Sequence, residues 1–284
     1  MTVKQNQKQV SRDIQLKRSM LNLKQKTAVK RQAKWLFPHQ SELFYKEQLA
    51  KIVDLIDQSM KNLLIPLLPR LQAEIDGNRP TATNDAFLDD LTATLNNMQT
   101  FVNSNQDDPT LLASTVGSDV SQYNRGQMTK VLKSAFGVSV TQSEPWLTTQ
   151  LDLFTSQNVD LIKNITTKAM SDIHGIVTRG FAQGTSLREM QASLEDRIGF
   201  TRNRAKLIAR DQTSKLNGQL TQLRQNQNGI SKYVWVTAGE ERVRPTHAAN
   251  EGRTFSWDDP PATGNPGDDY NCRCIASPVL EGLL

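Results

Sequence analysis

The spacing of apolar residues constrains this chain more than any other feature. Between Tyr45 and Ile75 the apolar side chains follow one another mostly in steps of three and four: Tyr45, Leu49, Ile52, Val53, Ile56, Met60, Leu63, Leu64, Leu67, Leu68, Leu71 and Ile75. Such steps align them on one stripe of a helix, which Pro66 and Pro69 are expected to kink or end early. The same period recurs, with turn signals between, as far as Gly229. Asn84 or Asp85 can cap a helix that carries Phe87, Leu91, Leu95, Met98 and Val102. Residues 103–118, rich in Ser, Asn, Asp and Gly, read as a loop. A helix from about Asp119 to Phe136 is stopped by Gly137. Pro145 opens another, and a further one covers about Thr166 to Gln183. Ser186 and Glu189 form a capping box before a helix that Gly199 ends, and a longer helix follows over about Arg202 to Gln225. No internal repeat is visible.

The pattern changes near residue 231. Residues 231–284 hold both cysteines of the chain and five of its eleven prolines. Lys232–Thr237 is β-branched and aromatic, and so reads as a strand; Thr254–Trp257 and Cys272–Ile275 read as two more. The expected fold class is α+β: a mostly α-helical, elongated body with a small C-terminal α+β module containing short strands. Three parts follow: a basic arm (1–37), a helical body (38–229) and the β-containing module (230–284).

Several classes are set aside. The longest apolar run, Leu63–Leu68, is broken by Pro66 and is far short of the ~18 residues a membrane helix needs. The first residues are polar and basic, so no secretory leader is expected. Two cysteines with one residue between them give no disulfide scaffold.

Charge is unevenly spread. Residues 1–34 carry ten basic side chains and one acid, Asp13, so the arm is +9 and the remainder −4 of the overall +5. Such an arm is either a solvated terminus or an electrostatic tail for a polyanion. Lys17, Lys24 and Arg31 lie seven apart, as do Ile14, Leu21, Ala28 and Trp35. In a helix this sets a basic stripe beside an apolar one. Lys17, Arg18, Lys24, Lys26, Lys30, Arg31 and Lys34 are the candidate contacts to double-stranded DNA. No aromatic interleaves the early basic residues, so non-specific phosphate contact is expected rather than base readout.

Machinery for catalysis is sparse. No phosphate-binding loop, dinucleotide fingerprint or nucleophile elbow is present, and no small-molecule substrate is expected. His247, Cys272 and Cys274 form the one cluster with metal-ligand character. Imidazole and thiolate suit zinc, but a structural site takes four ligands and only three are evident; the fourth would have to be Asp268, Asp269, another acid or water. The reading favoured here is a His247 hydrogen-bonded within a turn and two cysteines acting as small buried hydrophobes, with no cofactor. Arg242 and Arg244, if extended, share a face and could grip carboxylates or phosphates; an ion-pair network pinning the module is the simpler account. Asp258–Asp259 and Asp268–Asp269 sit beside Pro and Gly as turn residues do. Thr185–Ile198 followed by Thr201–Gln225 mimics a helix-turn-helix, with Arg202, Arg204, Lys206 and Arg210 on the second helix, although amphipathic helix pairs are usually packing units.

Residues 200–275 resemble a known family. The matching pieces, in order, are Arg204–Thr213 with Arg210, then Asn217, then Tyr233–Gly239 with Trp235, then Glu241–His247 with Arg242 and Arg244. Gly252, Phe255, Trp257–Pro260, Pro266–Gly267 and Asn271–Cys274 with Arg273 follow. In this order and spacing the pattern resembles the Mu F-like minor head proteins, also called phage head morphogenesis proteins. The likeness covers about residues 120–277 and is looser near 38–76. Some relatives have Cys-x-x-Cys where this chain has Arg244-Pro-Thr-His247. The resemblance implies a non-enzymatic minor capsid protein of a tailed bacteriophage or prophage, located in the virion at the head interior or portal vertex. Its implied partners are the portal protein, the major capsid or scaffold proteins, and packaged DNA. Two rival expectations stand beside it: a metal-dependent nuclease using His247, Cys272 and Cys274, and a stand-alone DNA-binding protein.

Overall fold

Helices start where side chains supply partners for the N–H groups that a first turn leaves unpaired. Asp108 does this clearly. Its carboxylate accepts from the backbone N–H of Thr110 (2.6 Å) and Leu111 (3.2 Å). Pro109 follows as the first helical residue, where its missing N–H costs nothing. The helix so begun runs from Pro109 to Phe136. Of the stretch 103–118, expected as a loop, only residues 106–108 lie outside the two flanking helices. Its polar composition hid Leu112, Ala113 and Val116, which are all buried.

The structure, a computed structural model, describes residues 32–77, 84–137, 143–240 and 242–280. Its long helices are α1 (His39–Ser59), α2 (Leu68–Gly77), α3 (Asn84–Asn105), α4 (Pro109–Phe136), α5 (Leu147–Gln183) and α6 (Leu187–Gln227). Strand β1 (Lys232–Val236), the short helix α7 (Pro245–Ala248), and strands β2 (Thr254–Ser256) and β3 (Ile275–Pro278) follow. This is the mostly helical α+β architecture that the sequence predicted.

Two compact units make up the chain. One holds Leu43–Ser114 and Leu153–Ala209, and among its described residues the regular elements are all helices. Tyr45, Leu49, Ile56, Met60 and Leu64 of the predicted stripe are fully buried there. Regular α-helix stops at Ser59, ahead of Pro66, and resumes at Leu68. Met60–Leu64 widens into a π-helical turn and Ile65–Leu67 tightens into a 3-10 turn, which accommodates the absent N–H before α2 resumes. Tyr45 donates its hydroxyl to Asn158 Oδ1 at 2.8 Å, and burial pushes its ionisation far above the usual range.

Two expected breaks are absent. Residues 147–183 form one helix, and α6 runs through Gly199 without interruption. Gly199 is exposed, while Met190, Leu194, Ile198 and Ala205 form a buried stripe across it. Burying that stripe outweighs the ~1 kcal/mol that a mid-helix glycine costs. The capping box at Ser186 and Glu189 is real, with the hydroxyl and carboxylate oxygens 2.8 Å apart. No helix-turn-helix exists over residues 187–227.

The other unit holds the described parts of Met1–Glu42, Thr115–Asp152 and Arg210–Leu284. Its sheet is antiparallel, in the order β2-β1-β3. Tyr233 pairs with Phe255, and Trp235 with Ala276. Alternation along β1 serves two cores. Tyr233 and Trp235 join Trp257, Cys272, Cys274 and Ala276. Val236 packs on a second cluster, where Trp35, Phe37, Ile275 and Leu280 meet Met128, Val131 and Leu132 of α4. The third strand begins at Ile275 rather than Cys272, so both cysteines precede it. Among the described residues, no helix is long and apolar enough to cross a membrane.

Candidate metal centre

The site is built on the second half of α6. Asp211, Ser214 and Gly218 are spaced to share one helical face. Asp211 Oδ1 accepts from the backbone N–H of Asn271 at 2.9 Å, and the Ser214 hydroxyl donates to the carbonyl of Cys272. Gly218 and Gly267 let two backbones touch: a Cβ on Gly218 would sit 2.6 Å from the carbonyl oxygen of Pro266. Asn271 takes a left-handed conformation, φ 55°, which Asn tolerates better than most residues. The loop 266–272 is thus seated on α6, and it delivers Cys272 to a fixed position.

His247 comes from the other side. Arg244 is the extended residue before α7, and Pro245 opens that helix. His247 is buried and lies edge-on to Trp235, with ring centroids 5.3 Å apart. Gly252, at φ 71°, turns the chain from α7 into β2, where its N–H bonds to the Trp235 carbonyl at 2.9 Å. Phe255 also meets Trp235 edge-on, with centroids 6.2 Å apart.

Among the described residues, one group of His, Cys, Asp and Glu side chains is gathered closely enough to hold a metal: His247, Cys272 and Cys274. All three are buried, and their donor atoms lie within 4.8 Å of one another. His247 Nδ1 is 3.5 Å from Cys272 Sγ and 3.6 Å from Cys274 Sγ. Its Nε2 lies 3.2 Å from Asp269 Oδ2, and Arg244 lies 3.2 Å from the same carboxylate oxygen.

The two thiols titrate apart. Cys272 is drawn down to about 6, chiefly by its hydrogen bond with Cys274; the backbone N–H groups of Gly267 and Cys274 and the His247 imidazole add to this against burial. Cys274 is pushed well up, by that same hydrogen bond and then by burial. The buried indole of Trp235 works the other way and favours charge on Cys274.

Around the cluster is a cavity of about 150 Å³ lined by Arg210, Glu240, Arg242, Arg244, Asn271 and Arg273 among others. Arg273 donates to Glu42 and, at 2.8 Å, to Glu240. Arg244 donates to the Tyr270 carbonyl at 2.6 Å. The extended Arg242–Arg244 face is not formed: Val243 N–H bonds back to Glu240 at 3.1 Å in a turn. Asn217 is elsewhere, in a buried polar seam where Asn124 donates to it at 2.9 Å and Arg224 grips Glu144 at 2.7 Å. Of the DNA candidates, Lys34 is exposed next to Trp35, while Lys17, Arg18, Lys24, Lys26, Lys30 and Arg31 lie outside the described residues. Asp211, Ser214 and Glu42 were not singled out from the sequence, and Asp269 was read as a turn residue or a candidate fourth ligand rather than as the partner of His247 Nε2. Asp211 could have been, because it follows Arg210 inside the recognised motif.

Residues 171–277 match the family model described as Phage Mu protein F like protein. That span contains every residue of the cluster and its cavity named above. A Haemophilus influenzae protein described as uncharacterized is 36% identical over 162 residues, which is 56% of this chain and 36% of that protein. The chain thus matches about a third of that relative's length. No solved structure matches the chain.

Proposed function

We propose, from the match of residues 171–277 to the family model described as Phage Mu protein F like protein, that the chain is a member of that family and a minor structural protein of a tailed-phage or prophage head. Its work is head morphogenesis rather than catalysis. The helical body meets the portal or the inner shell, and the basic arm lies along packaged DNA. The observation that carries the reading is the family match over residues 171–277, which takes in α6 and most of the β-containing module. The arm supports it independently, because ten cations against one acid suit a phosphate backbone and little else in a head interior. The protein is accordingly expected in the virion.

The test is the quantitative protein composition of empty and DNA-filled heads from the source phage or induced prophage. A small, fixed number of copies per portal in both is the expected result. Absence from every particle overturns the reading.

A further inference from the structure

We propose that His247, Cys272 and Cys274 bind one Zn²⁺ ion tetrahedrally, and that the fourth position opens on the arginine-lined cavity and takes water or a small anion.

Geometry separates this from a hydrogen-bonded cluster. A ring nitrogen has one lone pair or one hydrogen, so Nδ1 of His247 can serve one thiol at a time. Two sulfurs stand at nearly equal distance from it, 3.5 and 3.6 Å. Hydrogen bonding accounts for one of them. A shared ion accounts for both: with Zn–S near 2.3 Å and Zn–N near 2.0–2.1 Å, the N···S edge of a tetrahedron is about 3.6 Å.

The far side of the imidazole agrees. A metal-bound histidine ordinarily gives its other N–H to a carboxylate. Nε2 of His247 faces Asp269 at 3.2 Å, and Arg244 steadies that carboxylate from 3.2 Å. This pairing puts the hydrogen on Nε2 and leaves the Nδ1 lone pair for the ion. The sulfurs also have donors suited to thiolate, since the Cys274 N–H reaches Cys272 Sγ at 3.3 Å.

The donor set selects the metal. Two thiolates and an imidazole suit zinc over magnesium, calcium or manganese. The two thiolates also cancel the ion's charge. Preference for an anion at the fourth position then comes from Arg210, Arg242, Arg244 and Arg273 around the cavity, with Glu240 the one acid among them. The sequence-based objection, that a fourth protein ligand is missing, is met by that opening.

The test uses the full chain, purified reduced and free of chelator, and titrated with Co²⁺ and then Zn²⁺. The proposal expects one equivalent of Co²⁺, a thiolate-to-cobalt charge-transfer band, the intense visible bands of a tetrahedral ion, and displacement by Zn²⁺. Cys272→Ser should abolish the charge-transfer band or halve it, and Asp269→Asn should weaken affinity about 10–100-fold. Azide should shift the visible bands if the fourth position is open. Failure of the folded chain to bind either ion overturns the site. Wild-type affinity in both Cys272→Ser and Cys274→Ser does the same. Should a cysteine variant fail to fold, Asp269→Asn decides, because its half-exposed carboxylate lies outside the core. Unchanged bands in azide would show a closed fourth position and overturn the anion half of the proposal.

Discussion

Arg273, set between the two cysteines, donates through Nε to Glu42 at 2.8 Å across 231 residues of sequence. Both side chains are largely buried, Glu42 with 8% of its side chain exposed and Arg273 with 16%. The pair ties the start of α1 to the segment carrying Cys272 and Cys274. Glu42→Ala leaves the guanidinium with only Glu240 close by and is expected to cost about 2–3 kcal/mol in chemical denaturation. Glu240 is 41% exposed, so Glu240→Ala should cost less than about 1 kcal/mol. Equal losses in the two variants would contradict this ranking.

One substitution made at two glycines of α6 should have opposite signs. A Cβ at Gly199 meets nothing within 4 Å, and the backbone there is helical, so Gly199→Ala should stabilise by about 0.5–1 kcal/mol. A Cβ at Gly218 strikes the Pro266 carbonyl, and backbone cannot swing aside as a long side chain can. Gly218→Ala should destabilise by about 1–3 kcal/mol despite the better helix propensity. It should also disturb loop 266–272, which near-ultraviolet circular dichroism of Trp257 and Trp235 would register. A neutral Gly218→Ala would mean that the loop is not seated on α6.

The same two glycines mark what the sequence could and could not convey. Local signals read correctly: the Ser186–Glu189 box, the Gly137 and Gly229 stops, and the aromatic strand at Lys232. Gly199 misled because its effect depends on burial of Met190, Leu194 and Ile198, a tertiary matter. Asp108-Pro109 was a helix start hidden in a polar stretch. For the site, residue types were legible but convergence was not. His247 is 25 residues from Cys272, and the Asp211, Ser214 and Gly218 face shows no sign in sequence of the loop it will carry. The equal Nδ1 distances to the two sulfurs have no sequence counterpart at all.

The cap of α4 should respond to acid. The backbone N–H groups of Leu111 and Thr110 hold the Asp108 carboxyl below its usual range. A group depressed in the folded state adds stability above its unfolded value, near 3.9, and loses that stability as pH falls through the lower folded value. Stability of the wild-type chain should therefore fall more steeply through that window than stability of Asp108→Asn, which caps without titrating. Denaturation midpoints of the two proteins, compared from pH 6 downward, check this; parallel curves would remove Asp108 from the acid response.

The proposed contact of the arm with DNA is best tested by charge rather than by deletion. Gln32 donates to the Pro278 carbonyl at 2.9 Å, Ala33 N–H to Ser134 Oγ at 2.9 Å, and Trp35 and Phe37 lie in a core, so cutting to residue 34 would damage the fold as well as the arm. Replacing Lys17, Arg18, Lys24, Lys26, Lys30 and Arg31 with Gln spares those interactions. If these six side chains neutralise phosphates, the slope of log affinity against log salt should shrink by about 0.9 for each phosphate no longer neutralised, up to about five in all. Affinity should fall alike for unrelated duplexes, because phosphate contacts carry no sequence information. An unchanged slope would take the arm off the DNA and leave the acidic surfaces of partner proteins as its counterpart.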